Sequence, residues 1–274
     1  MTKKNKKVSL SAAAVVTGAA EGIGKSFAYE IARRGGDVIC VDINESMLND
    51  TVTLFKKLGV KAHAYVCDVA EEKQMETLSF RAPEILQRPI TLVVNNAGIG
   101  VGGVVGELPL EDWKRCVDVN LWGVIYGCHY FVPQLKRLGY GGLINVASAA
   151  GFGAGPEMST YNITKSGVMS LSETLSAELA GSGIKVNVLC PTFVPTNIIK
   201  SGNIPSHRVE LAQRLMEKLS LTNSDRVAQE SLNRLDRGKL YTLPQMDARI
   251  AWRLKRFFPS MYARCIGSAY YLTS

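Results

Sequence analysis

Thr17-Gly18-Ala19-Ala20-Glu21-Gly22-Ile23-Gly24 is the stretch on which the fold turns. It follows an apolar, β-branched run (residues 12–16) and opens a segment of helical period (residues 24–34). Glycines between a strand and a helix let the backbone turn tightly and approach a pyrophosphate, whose charge then sits at the positive end of the helix. Asp42 lies 18 residues after Gly24, at the end of the next β-branched run. A carboxylate there accepts both hydroxyls of an adenosine ribose and repels a 2′-phosphate. Glu21 adds to that repulsion, so NAD is favoured over NADP. Lys25, Arg33 and Arg34 point the other way, but as solvated helix faces. Asp68-Val69, closing the third run, can meet the adenine, although a lone acid after a strand also serves as a helix cap.

Outward from this turn, apolar runs at residues 12–16, 37–41, 62–67, 91–95, 142–147 and 185–190 read as strands. Amphipathic stretches at 24–34, 45–58, 110–138 and 159–180 separate them. Strands apolar on both sides, alternating with helices, predict a parallel sheet covered on both faces. Right-handed crossovers then give an α/β, doubly wound, Rossmann-like fold. A further helix is expected at 225–237, with Ser224 as cap and Gly238 as stop. No composition break divides residues 8–244, which read as one domain, and residues 245–274 form a helical C-terminal extension.

The net charge of +8 over 274 residues is lopsided. Lys3, Lys4, Lys6 and Lys7 contribute +4. From Met246 onward, Arg249, Arg253, Lys255, Arg256 and Arg264 against Asp247 contribute another +4, so the body is neutral. The pI of 9.2 therefore reports two tails rather than a nucleic-acid-binding face. The six cysteines are scattered, with no C-x-x-C and no histidine at metal spacing, and read as buried reduced thiols. The basic start and the apolar run after it mimic a signal peptide, but Thr17-Gly18 is better explained as the turn after a first strand. No stretch approaches the ~18 uninterrupted apolar residues of a membrane span. The chain reads as cytoplasmic.

Tyr161 and Lys165 are four residues apart, one helical turn, and Ser148 stands thirteen residues before the tyrosine. A phenol ionises near pH 10, outside the working range. A lysine ammonium on the same face favours phenolate and pulls that value down. A serine hydroxyl can hold a carbonyl or alcohol oxygen beside the phenol. Such a set moves a proton on or off a C–O group, and the glycine turn supplies the hydride carrier.

Taken together these residues resemble the short-chain dehydrogenase/reductase superfamily. The resemblance spans about residues 8–197. It rests on the T-G-x-x-x-G-x-G turn, Asn95-Asn96-Ala97-Gly98 after the fourth strand, Asn120 in Asp118-Val119-Asn120, Ser148, and Tyr161-x-x-x-Lys165. It implies that Tyr161 is the general acid/base and that Lys165 lowers its pKa while holding the nicotinamide ribose. Ser148 would orient the substrate oxygen. Asn120 would kink its helix and anchor a water linking Lys165 to solvent. Asn96, Ala97 and Gly98 would line the adenine side, and Pro191, Val194 and Thr196 the segment that holds the carboxamide. One departure stands out: Thr192 follows Pro191 where the family has glycine, and is expected to shift that loop. The resemblance also implies a homodimer or homotetramer, built through the helices near 110–138 and 159–180.

The substrate pocket is expected from Val101, Phe152, Met158 and Phe193, with no cation for a carboxylate or phosphate, hence an apolar steroid-, retinoid- or acyl-chain-like alcohol or ketone. Glu157 is expected to face solvent, and residues 198–219 to form a lid. In the tail, Met246, Ile250, Ala251, Leu254, Phe257 and Phe258 share one arc of a helical wheel, with Arg249, Arg253 and Arg256 opposite. That tail can pack on the pocket, dock on a partner subunit, or lie on a membrane surface. Two further functions compete with the leading one: an NADP-preferring 3-oxoacyl-type reductase, opposed by Asp42 and Glu21, and a non-catalytic dinucleotide sensor, opposed by the intact Ser148, Tyr161 and Lys165.

Overall fold

The computed structural model describes residues 7–196, 198 and 222–273. The six expected runs are strands, each within a residue of its expected ends: β1 (Ala13–Thr17), β2 (Asp37–Asp42), β3 (Ala62–Val66), β4 (Leu92–Asn95), β5 (Gly141–Val146) and β6 (Ile184–Leu189). A seventh, β7 (Tyr241–Thr242), is too short to leave a periodic signal. All pair in parallel, in the order β3-β2-β1-β4-β5-β6-β7, so β4 is central and β1 lies between β2 and β4.

Alternation along the strands sends side chains into two separate cores. Ala13, Val15, Ile39, Val41 and Val93 pack on one face beneath α3 (Glu72–Leu86), α5 (Gly123–Leu138) and α7 (Ser159–Glu178). Ala14, Val16, Val38, Cys40 and Val94 pack on the other beneath α1 (Gly22–Arg33), α2 (Glu45–Lys56) and α8 (Ser224–Asp236). Phe27 and Phe55 are fully buried there, and Phe131 in the first core. Each such ring contributes roughly 1.5–3 kcal/mol. The cap of α8 is Asn223 rather than Ser224: its backbone is extended and its Oδ1 accepts the Arg226 amide at 2.9 Å.

The long helix expected over 110–138 is broken into α4 (Leu110–Val117), a π-helical turn (Asp118–Trp122) and α5. Five of the six thiols are buried, and Cys265 is exposed. Two helices close the chain, α9 (Met246–Phe257) and α10 (Pro259–Thr273). Between β5 and α7 runs the short α6 (Ala150–Gly153).

Candidate active site

At the C-terminal ends of the strands the described residues line one cleft of about 1410 Å³. At one end Gly18 turns back at φ +65°, a conformation that costs other residues about 1 kcal/mol or more. A side chain on Gly18 would also stand 2.8 Å from Ala97 Cα. Asn96 pins this turn, donating from Nδ2 to the Thr17 and Gly18 carbonyls at 2.9 and 3.1 Å. The Thr17 hydroxyl in turn accepts the Asn96 and Ala97 amides. Gly22 and Ile23 open α1 on the cleft wall, and the Glu21 side chain does not cap them. Gly24 differs from the expectation that it borders the ligand: it is buried behind the turn, where any side chain would collide with the Gly18 carbonyl. Its smallness lets α1 close against the loop.

Asp42 stands on the wall at the end of β2, accepting the Ala20 amide at 3.2 Å and the Asn44 amide at 3.1 Å. Each carboxylate oxygen keeps a lone pair for a further donor. The glycine backbone, the helix N-terminus and this carboxylate fit the diphosphate and ribose of a dinucleotide. Asp68 and Val69 also line the cleft, but Asp68 accepts the Ala70 amide at 2.9 Å, so it fixes its own turn, and Val69 is buried against Gly123.

Ser148, Tyr161 and Lys165 converge in the middle of the cleft. Tyr161 and Lys165 are both buried on α7, with Lys165 Nζ 5.6 Å from the Tyr161 ring centroid and donating to the Val146 carbonyl at 3.0 Å. Ser148 Oγ accepts the Ala150 amide at 3.1 Å and hydrogen-bonds the phenol. Burial, partly opposed by that bond, pushes the Tyr161 phenol up to about 12. Burial also pushes the Lys165 ammonium down to about 8, against the neighbouring thiols Cys116 and Cys190. The expected lowering of the phenol by the lysine does not figure among the causes: desolvation dominates both groups and keeps the phenol protonated, suited to giving up a proton as an acid.

Asn120 is buried off the cleft wall, at the π-helical turn. Its Oδ1 accepts the Ile99 amide at 2.8 Å and its Nδ2 donates to the Ile99 carbonyl at 2.9 Å. It thus holds the strand-like loop after Gly98, and Gly98 has room for no side chain without crowding Asn120 Oδ1 and Lys165 Nζ.

Val101, Phe152, Met158 and Phe193 all line the cleft, as do Pro191, Val194 and Thr196. Of the expected lid, only Ile198 lies within the described residues, and it borders the cleft; the rest lies outside them. The other wall comes from the tail, in keeping with one of its three expected placements, packing on the pocket. Tyr262, Ile266, Ala269 and Tyr270, at helical spacing on α10, face the cleft beside Ala248 and Ala251 of α9. Glu157 is not solvent-facing: at φ +59° its backbone carbonyl accepts the Gly103 amide at 2.7 Å, and its Oε1 accepts the Tyr270 hydroxyl at 2.7 Å. Thr192 is free of the positive φ that would demand glycine. Its amide donates to Gln245 Oε1 at 3.2 Å and its hydroxyl to Asp247 at 3.3 Å, tying the loop after β6 to the start of α9.

The family model described as short chain dehydrogenase matches residues 12–205. Cyclohexanol dehydrogenase of an Acinetobacter species is 37% identical over 187 residues, 68% of this chain and 74% of that protein. Probable oxidoreductase EphD of Mycobacterium tuberculosis is 36% identical over 185 residues, 67% of this chain, but the match covers only 31% of that relative's length. A short-chain dehydrogenase/reductase from Burkholderia phymatum, solved in complex with NAD, superposes with a TM-score of 0.84 at 29% identity, over 95% of this chain and 96% of that one. A short-chain dehydrogenase from Sphingobium yanoikuyae, solved with NADPH, gives 0.76 at 26% identity, over 88% and 90%.

Proposed function

The chain belongs to the short-chain dehydrogenase family and is an oxidoreductase of that type, and from that premise we propose that it interconverts an apolar secondary alcohol and its ketone with NAD rather than NADP. One observation carries the reading: Ser148, Tyr161 and Lys165 meet in a single cleft whose other end holds the glycine turn and Asp42. When bound, the nicotinamide supplies the hydride for reduction and takes it up in oxidation.

Tyr161 gives its phenolic proton to the substrate oxygen in reduction and recovers it in oxidation. The Ser148 hydroxyl holds that oxygen and stabilises the charge developing on it. Lys165 steadies the nicotinamide ribose and carries the charge nearest the phenol. Asn120 acts from behind, bracing Ile99 so that the Gly98 backbone stays beside Lys165. At the adenosine end, Asp42 and Glu21 oppose a 2′-phosphate. Relatives with NAD and with NADPH both occur, so this preference rests on those two carboxylates.

The substrate end is walled by Val101, Phe152, Phe193, Ile266 and Tyr262, while the cations lining the cleft, Lys114, Arg115 and Lys165, come from α4 and α7. That lining favours an apolar compound. The relative named for cyclohexanol, itself an apolar secondary alcohol, supports the same class. Residues 8–244 would form the catalytic domain, in an oligomer built on the faces of α5 and α7.

The test is NADH formation by purified protein over a panel of apolar alcohols and polyols, with NADP in parallel. Tyr161→Phe is expected to lose about 10²–10⁴-fold in turnover while its melting temperature holds. Undiminished turnover in that variant overturns the assigned role. Turnover of polyols with none of apolar alcohols overturns the substrate class.

A further inference from the structure

The helix α9 is mounted with its apolar stripe facing outward. Ala248 is fully buried and Ala251 and Trp252 half-buried, so the small side of the helix meets the protein, and Ala251 departs from the apolar arc expected to hold it. On the opposite side Met246, Ile250, Leu254 and Phe257 follow at spacings of four, four and three residues, and are 62%, 52%, 42% and 72% exposed. Phe258, Met261 and Leu272 extend the patch over the α9–α10 corner and the outer face of α10. Burying Ala248 while exposing Phe257 is the reverse of what a helix folding only onto its own domain would do.

The charge around this stripe selects its occupant. Arg253, expected opposite the apolar arc, instead lies beside Ile250 and Leu254 on the exposed side. It and Arg264 have no acidic partner among the described residues. Arg256 stacks on Trp252 with its guanidinium 5.4 Å from the ring centroid, while Lys255 falls on the side of Ala248 and Ala251. Asp247, the single acid of the two helices, is exposed but engaged by the Thr192 hydroxyl and the Ala248 amide. A second copy presenting the same face would set Arg253, Arg256 and Arg264 against their own counterparts, and like charges brought together oppose such contact. An anionic lipid surface satisfies both halves of the pattern, apolar side chains entering the acyl boundary and cations meeting the headgroups. Among the described residues no helix is long and apolar enough to cross a bilayer, so the contact would lie in the interface plane.

We propose that α9 and the outer face of α10 dock this protein onto anionic phospholipid membranes. The inner faces of the same two helices wall the cleft through Ala251, Tyr262, Ile266 and Tyr270. Docking therefore brings the substrate end of the cleft within one helix thickness of the bilayer. The proposal does not depend on the reaction assigned above.

The experiment is co-sedimentation of the full chain with vesicles of phosphatidylcholine alone and with added phosphatidylglycerol, at low and high salt. Binding is expected only with the anionic vesicles, weakened by salt. Ile250→Glu combined with Leu254→Glu should abolish it with the thermal melt retained. Arg253→Gln should weaken it about fivefold, the equivalent of ~1 kcal/mol for one surface cation. A tryptophan placed by Phe257→Trp should add a blue-shifted emission component on anionic vesicles. Failure of the intact chain to sediment with anionic vesicles at low salt overturns the proposal. So does a double variant that still binds, or one whose only effect is a drop in oligomeric mass by light scattering, which would assign the stripe to a second copy.

Discussion

Lys165 is the residue on which the chemistry of the cleft turns, because burial sets its charge within the physiological range. Its ammonium is pushed down to about 8. The groups facing it are the Tyr161 phenol on its own helix, the Cys116 thiol from α4 and the Cys190 thiol after β6. Burial raises all three, so none of them ionises near pH 8. Reduction spends the Tyr161 proton, which the resting phenol keeps up to about 12. The limit near 8 is therefore set by Lys165, which can replace that proton only below its own pKa. The kcat/KM for ketone reduction should thus be flat to about pH 8 and fall above it, while alcohol oxidation rises over the same interval. Lys165→Arg, which stays charged, should abolish the inflection; a profile with its inflection unchanged in that variant would assign it elsewhere. The identity of these residues was legible from spacing alone. Their protonation was not, since the lysine that should have lowered the phenol is itself desolvated, and burial is invisible to a motif.

At the scale of the element, the tail is the part the sequence described but could not orient. A helical wheel finds the arc of Met246, Ile250 and Leu254, yet gives no indication which side meets the protein. Here two alanines take that role because they let α9 approach α6 and the loop after β6 closely. The strands were plain because burial on both faces writes continuous apolar runs, whereas β7 is a two-residue pairing held by Thr242 and its neighbours. Asn223 escaped notice because two capping residues stand side by side. The loop at Glu157 illustrates what such contacts do. Its left-handed backbone is held by the Tyr270 hydroxyl from α10. Removing that hydroxyl with Tyr270→Phe forfeits about 1 kcal/mol. The expected outcome is a rise of about fivefold in KM for a large apolar substrate with kcat little changed, measured by steady-state kinetics. An equal fall in kcat would show that the loop acts on the chemical step instead.

Across the whole molecule, the five buried thiols set an alkaline limit on stability. Burial pushes Cys40 and Cys128 up to about 12, and raises Cys67, Cys116 and Cys190 as well. Above pH 9 the unfolded chain releases these protons while the folded one keeps them, so stability falls as pH rises. By pH 10 each fully buried thiol costs about 1 kcal/mol. Lys165 works in the opposite sense between about 8 and 10.5, where the unfolded chain holds a proton that the native state has lost. One amine against five thiols leaves a net loss. The urea midpoint should decline between pH 9 and 11, and Cys40→Ala should shallow the decline even while lowering the plateau; a midpoint independent of pH would contradict this.

The strand order has a consequence for how the chain is made. β1 sits between β2 and β4, yet Ala14 pairs with Leu92, 78 positions later. During synthesis the strands β1, β2 and β3 can assemble as they emerge, but the edge of β1 that pairs with β4 must wait until some eighty residues after β1 have been made. At ~5–20 residues per second that is several seconds of unpaired backbone N–H and C=O groups inside the future sheet. The nascent half-domain is therefore the form of this protein most in need of protection by chaperones, before the site that gives it a function has begun to exist.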